Sequence, residues 1–131
     1  MQTTPARVSL YVPCLNGEKH IKRTLESVFS QTYPISQILV VDDGSTDQTP
    51  RILEPLPVEV IRHPENLGIT RTRNTALENV REQFVASVDA DVVLEPDWLE
   101  KIMRNFTEGS IGGVPAPPIF LLINRGFKAK I

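Results

Sequence analysis

Two runs of β-forming residues in this chain end directly in aspartates. Ile38-Leu39-Val40-Val41 runs into Asp42-Asp43, and Phe84-Val85-Ala86-Ser87-Val88 runs into Asp89-Ala90-Asp91. A strand that terminates in a carboxylate carries it to the carboxyl edge of its sheet, and in open α/β sheets ligands bind at that edge. Two strands ending this way direct several negative charges at one crevice. Hard oxygen donors grouped so suit Mg²⁺ or Mn²⁺.

The rest of the chain supplies the elements that such a sheet needs. Residues 8–12 are apolar β-formers ending at Pro13, a first strand. After the loop at 13–17, Ile21, Leu25, Val28 and Phe29 fall at helical spacing, with charged residues on the other face. Residues 37–41 form the second strand, Asp47 caps a short helix through Leu53, and residues 58–61 form the third strand. Ile69, Ala76, Leu77 and Val80 mark a second long helix. Residues 84–88 are the fourth strand, and Pro96 opens a helix whose buried face is Leu99, Ile102, Met103 and Phe106. Alternating strands and helices predict an α/β architecture, a parallel sheet covered on both sides. Right-handed crossovers bring the carboxyl ends of strands one, two and four to one edge, so loops 13–18, 42–47 and 89–91 converge.

Composition removes several function classes. The chain has 131 residues, 40% hydrophobic and 23% charged, with a formal net charge of −2. That describes one ordered domain burying roughly two-thirds of its unfolded surface. No basic run stands out, so nucleic acid is not an expected partner. The longest apolar stretch falls far short of the ~20 residues of a membrane span, and residues 1–7 lack a signal-peptide layout. With Cys14 as the single cysteine, a reducing, cytoplasmic setting is expected, free or peripherally associated with the inner face of the membrane.

An acidic edge limits the ligand. Two carboxylates about 6 Å apart repel by roughly 3 kcal/mol at an effective dielectric near 20. A phosphorylated ligand therefore binds there only with a divalent cation in between, which also offsets the charge developing on a departing diphosphate. Cleavage of a nucleotide-sugar has this requirement.

At this point the residues reach a family. The matching segments are Val12-Pro13-Cys14-Leu15-Asn16-Gly17-Glu18, Leu25-Glu26-Ser27-Val28 with Gln31-Thr32-Tyr33, and Val41-Asp42-Asp43-Gly44-Ser45-Thr46-Asp47. Asn66-Leu67-Gly68, Arg73-Asn74 and Asp89-Ala90-Asp91 follow in order. From Val8 to about Pro115 the chain resembles the family 2 inverting glycosyltransferases of the GT-A fold, a Rossmann-like, parallel-dominated sheet flanked by helices. The resemblance implies a donor-binding domain at 1–115 and an irregular tail at 116–131, cut short at the C-terminus. It implies transfer from a nucleotide-diphosphate sugar, a UDP-sugar first of all, to a glycan, lipid or other acceptor. Asp43 would take a hydrogen bond from the base, and Pro13, Leu15, Asn16 and Glu18 would border the nucleotide. Asp89 would approach the ribose or the metal, Asp91 would ligate Mg²⁺ or Mn²⁺, and Arg73 would orient the acidic edge or face phosphate.

Three departures from the family pattern stand out. Leu15 replaces a frequent aromatic or polar residue, and Thr72 replaces a small alanine. No acidic residue follows Glu108, so the family's general base is expected beyond Ile131 and no catalytic base is assigned within the chain. A positioned base contributes about 10²–10⁴-fold to such a step, and a non-catalytic nucleotide-binding remnant is therefore the alternative reading. A dehalogenase-type phosphatase is disfavoured because its nucleophile motif belongs on strand one, and a receiver-like domain because its acidic pair does too. Asp42 is expected to bond loop amides, Cys14 to pack, Arg71 to be solvated, Trp98 to lie in the core, and His20 and His63 to occupy surface or loop positions.

Overall fold

The computed structural model describes residues 6–106 and 122–124. Its elements are β1 (Val8–Cys14), α1 (Ile21–Phe29), β2 (Gln37–Asp42), α2 (Thr49–Leu53), β3 (Glu59–Arg62), α3 (Ile69–Asn79), β4 (Phe84–Ser87), α4 (Trp98–Phe106) and β5 (Leu122–Asn124). The sheet runs β3-β2-β1-β4-β5, with the first four strands parallel and β5 antiparallel to β4. The predicted α/β architecture is present. Among the described residues no helix is long and apolar enough to cross a membrane.

Strand alternation sorts the two faces. Val8, Leu10, Val12 and Cys14 of β1 join Val40, Ala86 and Val88 under α1, α2 and α4, where Ile21, Leu25, Val28, Leu53, Leu99 and Ile102 complete the larger core. Tyr11, Leu39, Val41 and Val85 turn the other way and pack against Ala76 and Val80 around α3. Every residue of β1 is buried, as a central strand covered on both faces requires.

The expected strands at 37–41, 58–61 and 84–88 are met to within one residue, and larger differences elsewhere have local reasons. β1 continues through Pro13 to Cys14. The Tyr11 carbonyl faces β4, accepting from the Val88 amide, and the Cys14 carbonyl faces β2, accepting from Asp43. Alternation therefore turns Pro13 toward β4, past the last β1–β4 pair at Tyr11–Ser87, where its missing N–H costs no ladder bond. α4 begins at Trp98 because the Pro96 carbonyl already accepts the Thr32 amide at 2.9 Å. Asp47 sits one position before the α2 cap, Gln48, and accepts the Thr49 amide at 2.9 Å from there. Within the segment expected to be irregular, Leu122–Asn124 pairs with the free edge of β4, an edge that offers unpaired backbone groups to any β-forming residues nearby. The expected boundary at 115, a strand opening at Val114 and the Phe106 side chain lie outside the described residues.

The segment after β4 is fastened to α1 by polar side chains at helical spacing. Thr24 Oγ1 donates to the Ala90 carbonyl at 2.9 Å, and the Leu94 amide donates to Ser27 Oγ at 3.0 Å. Just past the helix, Gln31 Nε2 donates to the Glu95 carbonyl at 2.7 Å while its Oε1 accepts the Leu99 amide at 2.9 Å. The turn carrying Asp89 and Asp91 is thereby tied to the core helix. A second close contact joins loops 42–47 and 63–68. Gly44 has φ +76°, and a Cβ there would lie 2.5 Å from the Glu65 carbonyl carbon and 2.7 Å from the Asn66 nitrogen.

Gln31→Ala is expected to cost about 1–3 kcal/mol in urea unfolding, because it strands the Leu99 amide at the start of α4. The exposed control Lys22→Ala should stay within about 0.5 kcal/mol. Gly44→Ala should cost more than about 2 kcal/mol, since left-handed strain and a backbone clash act together.

Candidate functional site

The loops at the carboxyl edge converge through specific bonds. The Asn16 amide donates to Ser45 Oγ at 2.8 Å, and Asn16 Oδ1 accepts the Thr46 amide at 2.8 Å. The Gly17 amide reaches Thr49 Oγ1 at 2.9 Å. Glu18 is held twice, its amide on Asp47 Oδ2 at 3.1 Å and its carboxylate on the Gln48 amide at 3.2 Å. Asn16 adopts φ 51° to do this, a left-handed conformation that asparagine tolerates. Asn16 and Glu18, read from the sequence as nucleotide contacts, thus brace the loop after β1 against the loop after β2. On the other side, a Cβ built on Gly17 would come within 3.9 Å of Ala90, so the Asp89–Asp91 turn borders the same edge.

Between these loops and the start of α3 lies a cleft of about 320 Å³. Pro13, Cys14 and Leu15 form one wall, Asp43 the base, and Asn66, Gly68, Ile69 and Thr72 the other wall. Leu15 and Ile69 are exposed apolar side chains that give the mouth two hydrophobic lips. The Cys14 thiol is buried, and that burial, followed by the nearby Asp42 charge, pushes its pKa up to about 12. It packs rather than reacts.

Asp43 is the best-determined side chain of the site. Its Oδ1 meets His63 Nδ1 at 2.8 Å and accepts the Leu67 amide at 2.9 Å, while Oδ2 accepts the Gly68 amide at 3.0 Å. Burial pushes this carboxyl up, but the bonds from His63, Leu67 and Gly68 outweigh it and hold it below its ordinary value. An ionised carboxylate accepts about four hydrogen bonds, so three donors leave one acceptor position, on Oδ2. Next door, Asp42 is fully buried and accepts the Ser45 amide at 3.0 Å, with Arg62 Nε 3.8 Å from its other oxygen. This is the loop-bonding role expected of Asp42.

His63 corrects half of the sequence reading. Expected at a surface or loop position, it does lie in the loop after β3, but it is only 7% exposed, with Nδ1 on Asp43 and Nε2 2.8 Å from Thr75 Oγ1. Its partners are 20 residues before it and 12 after it in the chain. Parallel pairing of β2 and β3 extends one step past Arg62, where the His63 amide donates to the Asp42 carbonyl, and this swings the ring under Asp43. Nothing local in the sequence carries that signal.

The acidic turn has a different character. Asp89 is half-buried and Asp91 exposed. Tyr11, buried beneath it, has its pKa raised by burial, partly countered by a bond to Ser87 and the charge of Arg73, with Asp89 adding to the rise. Arg73 on α3 and Asp89 after β4 therefore both lie within electrostatic reach of one phenol. Among the described residues no group of three or more His, Cys, Asp or Glu side chains encloses a cation position. Two carboxylates on one open turn are instead the donor set with which Mg²⁺-type ions bind jointly with substrate phosphates, and this set fits such an ion. Of the sequence-derived candidates, Pro13, Leu15 and Asp43 share the cleft, Arg73 and Asp89 each act electrostatically on Tyr11, and Asp91 is exposed on the same turn as Asp89.

Comparison with known proteins is consistent with this geometry. The sequence profile described as glycosyl transferase family 2 matches residues 9–119. Among curated relatives, the putative glycosyltransferase EpsH of Bacillus subtilis is 41% identical over 106 residues, which cover 77% of this chain and 30% of EpsH. Among solved structures, S. aureus TarS 1–349 in complex with UDP-GlcNAc matches with a TM-score of 0.72 at 31% identity, covering 86% of this chain and 36% of TarS 1–349. The mannosyltransferase PcManGT of Pyrobaculum calidifontis, in complex with GDP-Man and Mn²⁺, shares the fold with a TM-score of 0.80 at 23% identity, over 95% of this chain and 46% of that one. The chain thus spans less than half the length of each of these proteins. On its sequence and its GT-A architecture, it belongs to glycosyl transferase family 2.

Proposed function

We propose that this chain supplies the donor-binding half of a glycosyltransferase, holding a nucleotide-diphosphate sugar, preferentially a UDP-sugar, for metal-assisted inverting transfer to a glycan, lipid or other acceptor. The observation that carries this reading is the Asp43 carboxylate at the base of the cleft, ionised and with one acceptor position left. A uracil ring presents an N–H flanked by two carbonyls, a donor suited to that position. Pro13 and Leu15 would lie along the ring, with Ile69 closing the mouth. Asn16 and Glu18 act through the loops that they brace, keeping Pro13 and Leu15 in register with Asp43.

From the base, the ligand would extend toward the acidic turn. Asp89 would meet the ribose or the metal, and Asp91 would ligate Mg²⁺ or Mn²⁺ on the diphosphate side, with Arg73 ordering the edge beside them. When bound, the cation would neutralise charge on the departing diphosphate. The acceptor-side general base is not among the residues assigned to this chain. The single cysteine supports a cytoplasmic setting, free or at the inner face of a membrane.

Calorimetric titration tests the reading. UDP should bind in Mn²⁺ more tightly than GDP, and EDTA should weaken UDP binding more than tenfold; equal affinity after chelation would contradict the proposal. Asp43→Ala removes a charged hydrogen-bond partner and should weaken UDP binding by about 10- to 100-fold. Asp91→Ala should lose the Mn²⁺ dependence and leave the residual, metal-free affinity.

Acid should act through Asp43. Its folded pKa lies below its unfolded one, so the folded state binds fewer protons. The stability that it contributes is complete above about pH 4 and is lost as pH falls through the lower, folded value. The urea midpoint should therefore drop on acidification from pH 6 to pH 3, and Asp43→Asn should flatten that drop. An equally steep drop in the variant would contradict the linkage.

A further inference from the structure

One buried titratable side chain has no part in the donor contacts above. The His63 ring is clamped between β2 and α3, 2.8 Å from Asp43 Oδ1 through Nδ1 and 2.8 Å from Thr75 Oγ1 through Nε2. An ionised carboxylate can only accept, so the proton shared with Asp43 sits on Nδ1. Thr75 engages the opposite nitrogen and fixes the plane of the ring. Both sides of this imidazole are therefore committed, in a site with 7% exposure for the histidine and 4% for the aspartate.

The consequence falls on the two oxygens of Asp43 unequally. Oδ1 takes His63 and Leu67, which fills it, whereas Oδ2 takes only Gly68. A carboxylate held by backbone amides alone could turn about its terminal torsion, because such sp³–sp² torsions are broad. The His63 bond singles out one oxygen and so fixes which one stays open.

We propose that His63, backed by Thr75, is a positioning residue for base selection: it saturates Oδ1 of Asp43 so that the open position of Oδ2 reads a base N–H. The inference rests on the donor-binding reading above. It assigns the preference for one pyrimidine over another to a side chain that does not itself line the cleft. Uracil offers N3–H to Oδ2, whereas cytosine offers an unprotonated N3. A correctly held acceptor therefore favours UDP over CDP, and a loosely held one discriminates less.

Three full-length variants and the wild-type chain, titrated with UDP and with CDP in Mn²⁺, test this. His63→Leu fills the volume without a donor, His63→Asn returns an amide N–H near the Nδ1 position, and Thr75→Val removes the outer support. His63→Leu is expected to lose about tenfold in UDP affinity and most of the UDP-to-CDP ratio. His63→Asn should restore that ratio to within about threefold of wild type, and Thr75→Val should lower it partially. A purely structural role would weaken both nucleotides together and leave their ratio unchanged, and that result would overturn the proposal. Imidazole ¹⁵N spectra of the wild-type chain serve if His63→Leu does not fold. They should show a protonated Nδ1 that UDP perturbs more than CDP, and a ring protonated only on Nε2 would overturn the proposal. A wild-type chain that binds neither nucleotide defeats the donor reading and this inference with it. Wild-type discrimination that survives in the folded variants defeats this inference alone.

Discussion

A single buried carboxylate organises the carboxyl edge of this protein. Asp43 collects a side chain from the end of β3 and two amides from the loop before α3, so three chain segments meet on one charge. Burying an ion without such compensation is costly, and here the donors hold its pKa below the ordinary carboxylate value in spite of burial. Because the bonds come from separate segments, the cleft walls are tied to the residue at its base. Local stability, and the binding chemistry proposed for this cleft, then depend on the same contacts.

The two acidic clusters divide along physical lines. Asp42 and Asp43 are both buried: Asp43 is held by two loop amides and His63, whereas Asp42 accepts the Ser45 amide on one oxygen and its other oxygen, 3.8 Å from Arg62 Nε, has no hydrogen-bond partner among the described residues. Asp89 and Asp91 sit on a more open turn, with Asp91 exposed. The first pair suits fixed, directional recognition, the second the labile coordination of a hard cation shared with a ligand. α1 and the residues just past its end act as a rail for the open turn. Thr24, Ser27 and Gln31 grip the backbone at Ala90, Leu94, Glu95 and Leu99, so the position of the open turn follows that of a core helix.

Much of the fold was legible because its signals are local. Apolar runs of β-formers, amphipathic spacing and aspartates at strand ends each act within a few residues, and together they imply parallel crossovers and one convergent edge. Pro13 read as a stop because proline lacks a donor; the sheet tolerates it because β4 has already ended on that side. Leu122–Asn124 was missed because three residues carry no periodicity, and only the open edge of β4 makes them a strand. His63 was missed for a related reason. Its meaning depends on Asp43 and Thr75, which are neighbours only after β2, β3 and α3 have assembled. Asn16 and Glu18 were read from the sequence as nucleotide contacts, and their bonds to the facing loop appear only in three dimensions.

The account turns on where a base would lie. A crystal structure of this chain with UDP and Mn²⁺ measures that directly. The account predicts the uracil ring between Leu15 and Ile69, with its N3–H within about 3.2 Å of Asp43 Oδ2. A uracil ring seated elsewhere, with Asp43 still bonded only to His63, Leu67 and Gly68, would contradict it.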